Sequence, residues 1–196
     1  MILSGVAALA VPATARPPGL ATVAPMINPR LVERALSALY RHHALIWSRD
    51  VIAIADFGLP SSVPRFFLAD IVKGTTTALL VAHGKGSDPA HSGMVQSFSD
   101  IVGSAATSDG AYLTGDSYNG THGPSRRLLG LDPSNAHAEE RAIVIHSAWY
   151  ANPDMVAKQG RLGRSDGCFA FGEQDIANVL ATLGKGRLIY AGRADG

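Results

Sequence analysis

The sequence is short of several things, and each shortage removes a class of protein. It has one cysteine, Cys168, in 196 residues, which excludes an internal disulfide framework and a multi-cysteine metal cluster. It contains no His-Glu-x-x-His and no comparable paired-histidine spacing, so a zinc peptidase built on His83, His91, His122 or His146 is disfavoured, and no metal or cofactor is expected. The formal net charge is only +1; without an excess of one sign there is no electrostatic reason to expect nucleic acid or a charged membrane surface. Long apolar runs are missing as well. Met1 to Leu9 is apolar but too short to cross a bilayer, so stable membrane insertion is not expected.

Glycine and proline are plentiful, 21 and 11 residues, and they separate many short apolar runs. That pattern favours a turn-rich β protein over a helical bundle, and the length suits one domain with a full core. Strand signals run over 51–57, 65–71, 75–83, 142–145 and 187–191, most of them ending in Gly, Pro, Ser or Asp. Asn28-Pro29 reads as a helix start, followed by an apolar stripe through Leu31, Ala35 and Leu39. A second stripe, Ile176, Val179, Leu180 and Leu183, predicts a helix over 173–183. The expected fold is therefore mainly β, a sandwich or barrel-like sheet with one N-terminal and one C-terminal helix.

Residues 1–27 read as a signal peptide remnant and linker, because Ala13-Thr14-Ala15 has the small-x-small form of a signal-peptidase site. The domain then occupies 28–196, and the protein is expected to be exported, periplasmic or associated with the cell wall. The Gly84-Lys85-Gly86 loop completes no phosphate-binding pattern and reads as a tight turn after a strand. Residues 91–134 are polar and irregular. So long a stretch reads as short strands plus loops lining a site, with Tyr112, Tyr118 and His122 as its notable side chains.

The chemistry gathers between Arg141 and Phe171. A short β run ends in His146; a turn-rich segment with Asn152-Pro153, Gly160 and Gly163 follows; it closes on Ser165-Asp166-Gly167-Cys168. A thiol is a nucleophile only as thiolate, and a neighbouring imidazole is the natural group to take its proton. Cys168 and His146 are therefore the candidate nucleophile and base. Gly167 permits close approach, and the N–H groups of Gly167 and Cys168 are candidates for an oxyanion hole. Arg161 and Arg164 point to an anionic substrate, since guanidinium groups suit carboxylates.

At these residues the sequence resembles the L,D-transpeptidases of bacterial cell walls, the YkuD-type catalytic domain. The family signature is a histidine and, after a loop, Ser/Thr-His-Gly-Cys; here His146-Ser147-Ala148 and Ser165-Asp166-Gly167-Cys168 stand in those places. The likeness extends to Ile54-Ala55-Asp56-Phe57, Val81-Ala82-His83-Gly84, Tyr118-Asn119-Gly120-Thr121-His122-Gly123, Arg141 through His146, and Gly160 through Cys168.

The resemblance implies a β-rich fold with the Cys/His site in a cleft under a flap. It implies acyl transfer from a peptidoglycan tetrapeptide stem through a thioester on Cys168, and a cysteine that carbapenems acylate. His146 would be the base, oriented by the Ser147 carbonyl. Arg161, Arg164, Ser165, Tyr118, His122 and His83 would face the stem peptide, and the partner would be peptidoglycan. One departure stands out: Asp166 replaces the signature histidine. A carboxylate there disfavours thiolate unless a cation neutralises it, and Arg161 or Arg164 is the expected cation. An L,D-carboxypeptidase or other hydrolase on the same scaffold, and a non-catalytic wall-binding module, are the alternative readings.

Overall fold

The computed structural model describes residues 19–195; the signal-peptide reading thus falls mostly on residues outside the described ones. Among the described residues there are eight strands: β1 Val51–Asp56, β2 Phe66–Asp70, β3 Thr75–Leu79, β4 Gly110–Gly120, β5 Gly123–Gly130, β6 Val144–Ser147, β7 Phe169–Phe171 and β8 Leu188–Gly192. They form one sheet in the order β3-β2-β1-β8-β4-β5-β6-β7. Four helices accompany them: α1 Leu20–Val23, α2 Pro29–Arg41, α3 Pro153–Gln159 and α4 Ile176–Thr182.

β1 is buried along its whole length, as expected of a central strand covered on both faces. Its alternating side chains serve two cores. Ala53 and Ala55 face an inner core with Phe57, Phe66, Tyr112, Phe169 and Phe171. Ile52 and Ile54 face an outer core with Phe67, Leu113 and Leu188, roofed by α1 and α2. Small residues on the inner face of β1 make room for aromatic packing; the Phe66 and Phe171 rings meet edge-to-face at 4.8 Å, and Tyr112 and Phe169 at 5.4 Å.

The two edge strands do not stay apart. Just beyond β3, Ala82 bridges Ala170 of β7, with an N–H···O bond of 2.9 Å, and Gly84 bridges Ser165. The sheet curls until its first and last edges meet, which bears out the barrel-like expectation and removes part of the exposed edge. β3 correspondingly ends at Leu79, and residues 80–84 form the seam.

Three local expectations are corrected. The linker reading of the residues before Asn28 gives way at Leu20, Val23, Ala24 and Ile27, which are buried against the outer core; their i, i+3, i+4, i+7 spacing is that of a packed helical face. Asn152-Pro153 starts helix α3 and not a turn, with Gly160 as its left-handed C-cap at φ 74°. The irregular stretch before Ser134 contains the longest hairpin of the fold, β4–β5, interrupted by a register shift between Thr114 and Ser117.

Candidate active site

Strand register places His146 beside the strand that follows the thiol turn. β6 and β7 are parallel, with Ile145 opposite Phe169 and His146 opposite Ala170. Ile145, Phe169 and Phe171 point into the inner core, so His146 and Ala170 point to the other face. Cys168 precedes Ala170 by two residues and shares its parity. β6 thus delivers His146 next to the strand that the thiol turn leads into, and the loop carrying α3 makes the return between them.

His146 is 2% exposed. Its Nδ1 lies 2.8 Å from the Ser147 carbonyl oxygen. A carbonyl can only accept, so Nδ1 carries the proton and Nε2 presents its lone pair. Burial, more than anything else, holds the imidazole below its ordinary pKa; the neighbouring His122 adds to this and the Ser147 carbonyl opposes it. The His122 ring, exposed at the β4–β5 turn, stacks on His146 with centroids 4.2 Å apart and 25° between planes.

Burial pushes the Cys168 thiol up, and Asp166 pushes the same way; the Val144 N–H and Arg141 pull it down. The thiol donates to the Ala142 carbonyl at 3.6 Å, a residue held at φ 52°. Both shifts favour the neutral forms, thiol and imidazole. That arrangement suits proton transfer during attack more than a standing thiolate–imidazolium pair.

Gly167 is required by its backbone. Its φ is 118°, and a Cβ there would lie 2.7 Å from the Ala106 carbonyl oxygen and 2.9 Å from the Ile143 side chain. Its N–H, however, donates to the Ser165 hydroxyl at 3.2 Å, and that hydroxyl donates to the Cys168 carbonyl at 2.7 Å. Ser165 braces the turn that carries the thiol, and the Gly167 N–H is occupied within that turn, not directed at a developing oxyanion.

The remaining expected site residues divide. Tyr118 is half-buried under the Arg127 guanidinium, 4.7 Å from its ring centre. His83 is 1% exposed, with Nδ1 2.6 Å from Arg65 Nη2 and Nε2 3.3 Å from Asp88. Burial and then Arg65 lower its pKa to about 4. It is an interior brace, with no face left for a stem peptide. Arg164 is committed to the Asp88 carbonyl and, at 3.2 Å, the Pro89 carbonyl. Arg161 bonds the Gln159 carbonyl at 3.4 Å, and its Nε is buried without a partner among the described residues.

Neither arginine meets Asp166. Its partner is Lys85 at 2.7 Å, which corrects the expected neutralisation. The correction follows from the seam. Gly84 and Gly86 press against residues 104–106 so closely that a Cβ would lie 2.4 Å from the Ala105 and 2.0 Å from the Ser104 carbonyl oxygen. The Lys85 N–H then bonds the Ser165 carbonyl at 2.8 Å, which leaves the lysine side chain beside Asp166.

Two further residues escaped the reading of the sequence. Arg141, its side chain 3% exposed, donates to the Ser99 carbonyl and Ser108 hydroxyl and also bonds the Ala106 carbonyl. It fixes a positive charge behind Gly167. Tyr150 is pushed up to about 12, by burial first and then by Cys168 and Asp166. Gly163 signals this, since a Cβ there would meet Tyr150 Cβ at 2.5 Å. Among the described residues no group of three or more His, Cys, Asp or Glu is placed to hold a metal ion, and no helix is long and apolar enough to cross a membrane.

A curled sheet thus carries a carbonyl-oriented histidine on β6 and a cysteine at the entry to the neighbouring β7. Residues 23–191 match the L,D-transpeptidase catalytic domain family, and the chain belongs to that family. No curated protein matches it in sequence. Solved structures similar to it include an L,D-transpeptidase from Mycobacterium smegmatis (15% identity, TM-score 0.44, 73% of this chain and 58% of that one). Another is L,D-transpeptidase 3 from Mycobacterium tuberculosis in complex with a faropenem-derived adduct (12%, 0.46, 72% and 60%). A third is the helical cell shape determining protein Pgp2 from Campylobacter jejuni (14%, 0.46, 76% and 48%). The chain thus spans between about half and three fifths of the length of these structures.

Proposed function

We propose that the protein is a cysteine-dependent L,D-transpeptidase acting on peptidoglycan tetrapeptide stems. The observation that supports this reading is an imidazole on β6, beside the strand that Cys168 leads into, whose Nδ1 proton is fixed by the Ser147 carbonyl so that Nε2 is left to act as base. His146 Nε2 takes the thiol proton as Sγ attacks the carbonyl carbon before the terminal D-alanine. The tetrahedral intermediate expels the D-alanine nitrogen, which receives that proton, and a thioester remains on Cys168. An amine attacks the thioester carbon, gives a proton to His146, and the C–S electron pair returns to sulfur. The thiol is regenerated by that proton. Arg141 and the Val144 N–H favour the sulfur anion as it forms.

Because the chemistry acts on the wall, the reading also places the protein outside the cytoplasm; fractionation of cells carrying the full-length gene product tests that part. The catalytic part is tested by intact-protein mass spectrometry after exposure to a carbapenem. A covalent adduct is expected on the wild type and none on Cys168→Ala, and His146→Ala should slow acylation by about a hundredfold or more. An unmodified wild type whose thiol is also slow toward iodoacetamide would turn the reading to a wall-binding module. Incubation with tetrapeptide muropeptides and a D-amino acid then separates amine transfer from hydrolysis.

A further inference from the structure

Helix α2 lays Leu31, Val32, Ala35 and Ala38 on the outer core, yet its apolar side chains continue past that buried stripe. Leu36 and Tyr40, four residues apart, are 41% and 81% exposed. The chain then folds back on the end of the helix. The Leu45 and Ile46 N–H groups bond the His42 carbonyl, and Arg49 donates to the His43 and Ile46 carbonyls. The His43 ring lies 6.2 Å from that of Tyr40. Ile46 anchors this turn in the outer core, and its neighbours Leu45 and Trp47 are left 50% and 59% exposed. Trp47 is also held in place. Its indole rests on Gly186, where a Cβ would lie 2.2 Å from the ring. Residues 36–49 thus form a cap with four large apolar side chains that no described residue covers.

The free charge around the cap is positive. No acidic residue occurs between Glu33 and Asp50, a span that holds Arg34, Arg41 and Arg49. The flanking carboxylates are already held, Asp50 by Arg187 at 2.6 Å, and Asp132 by His42 at 2.8 Å and Arg41 at 3.3 Å. Arg49 has no carboxylate partner among the described residues. Glu33, two turns up the helix from Tyr40, lines a cavity with Arg30 and Arg34. The net charge of +1 over the whole chain conceals this local surplus.

We propose that this cap docks the protein on an anionic lipid bilayer. Leu36, Tyr40, Leu45 and Trp47 enter the boundary between headgroups and acyl chains, and Arg41 and Arg49 meet lipid phosphates. Tyrosine and tryptophan, apolar in body and polar at the tip, favour that depth, and arginines reach from it to the phosphates. A soluble polyanion would satisfy the arginines and leave the apolar centre in water. A second copy of the chain, related by a twofold axis, would set the cationic rim against itself. The docking is peripheral, since no described helix is long and apolar enough to cross a membrane. It does not rest on the transpeptidase reading, because no residue of α2 or of the loop after it belongs to the candidate active site.

The test is co-sedimentation of the full chain with vesicles of phosphatidylglycerol and phosphatidylcholine in equal parts, and with phosphatidylcholine alone. Binding to the mixed vesicles is expected, about fivefold weaker to the neutral ones and weakened by salt. Tyr40→Ser combined with Leu45→Ser should reduce it about tenfold or more. Ala44→Glu, at an exposed position inside the cap, should do the same with the apolar side chains intact, and the unfolding midpoints of these variants should match the wild type. A second readout does not depend on them. Trp149→Phe leaves Trp47 as the only indole, and its emission should shift to the blue with the mixed vesicles. Unshifted emission, equal binding to neutral vesicles, or binding unchanged in the Tyr40→Ser, Leu45→Ser protein overturns the proposal. The last would place the binding elsewhere in the chain, as on the apolar run Met1 to Leu9. Emission that shifts equally with soluble polyglutamate would assign the cap to polyanions. Self-association in sedimentation velocity, lost in the double variant, would assign it to a second copy, and either result overturns the bilayer.

Discussion

Two histidines beside the site, His83 and His122, look alike in the sequence, each next to a glycine, and the fold uses them in opposite ways. His83 is sealed between Arg65 and Asp88, with Arg65 also bonded to the Leu59 and Val81 carbonyls. Asp88 in turn accepts from the Ser92 and Gly93 N–H groups. This network fixes the loop after the seam. His122 stands at an exposed hairpin tip, and the ring contact described for it is its stack on His146. One histidine makes the wall of the site rigid. The other stacks on His146 from an exposed tip.

The largest effect should come from breaking the rigid side. Arg65→Met removes a buried guanidinium with four hydrogen bonds and strands the Val81 and Leu59 carbonyls and His83. Urea denaturation should show a loss of more than about 3 kcal/mol; a loss under about 1 kcal/mol would mean the network is not what holds the wall. Second comes pH. The folded pKa of His83 is lowered to about 4, while the unfolded chain titrates near 6.5. The unfolded state therefore binds a proton that the folded state refuses, and stability present above pH 6.5 is lost as pH falls toward 4. The span is about 3 kcal/mol at most, to be read as the difference in unfolding midpoint between pH 7 and pH 4.5. His83→Gln should flatten that dependence.

The smallest effect on stability, and the sharpest on the comparison, is at the hairpin tip. His122→Ala should change stability by no more than about 0.5 kcal/mol. Both the lost stack and the lost neighbouring charge let the His146 pKa rise toward its ordinary value, so the acid limb of the acylation rate should move to higher pH. His122→Phe keeps a ring over the base without a charge and should give a smaller move. A unfolding midpoint strongly lowered by His122→Ala would erase the distinction between the two histidines.

Much of this was legible in the residues. The strand at 51–57 and the helix start at Asn28-Pro29, whose Asn28 side chain accepts from the Arg30 N–H at 3.0 Å, both follow from local pattern. What escaped depends on contacts between distant segments. Asn152-Pro153 carries the same helix-start code, yet its asparagine side chain bonds Glu173 instead of capping, so the surrounding glycines dominated the reading. Lys85 reaches Asp166 only because the seam lays one loop along the other. Arg164 turns to carbonyls of the 88–89 segment that no local pattern announces.

The seam has one more consequence, for the order in which the molecule becomes competent. The contacts that set the thiol turn join residues 82–85 to 165–170, pairings so far apart in sequence that their loop-closure cost falls late in folding. A chain emerging from a ribosome holds Cys168 in a turn without its long-range partners until residues 82–85 close on it. The shape of the thiol turn is therefore set by completion of the fold.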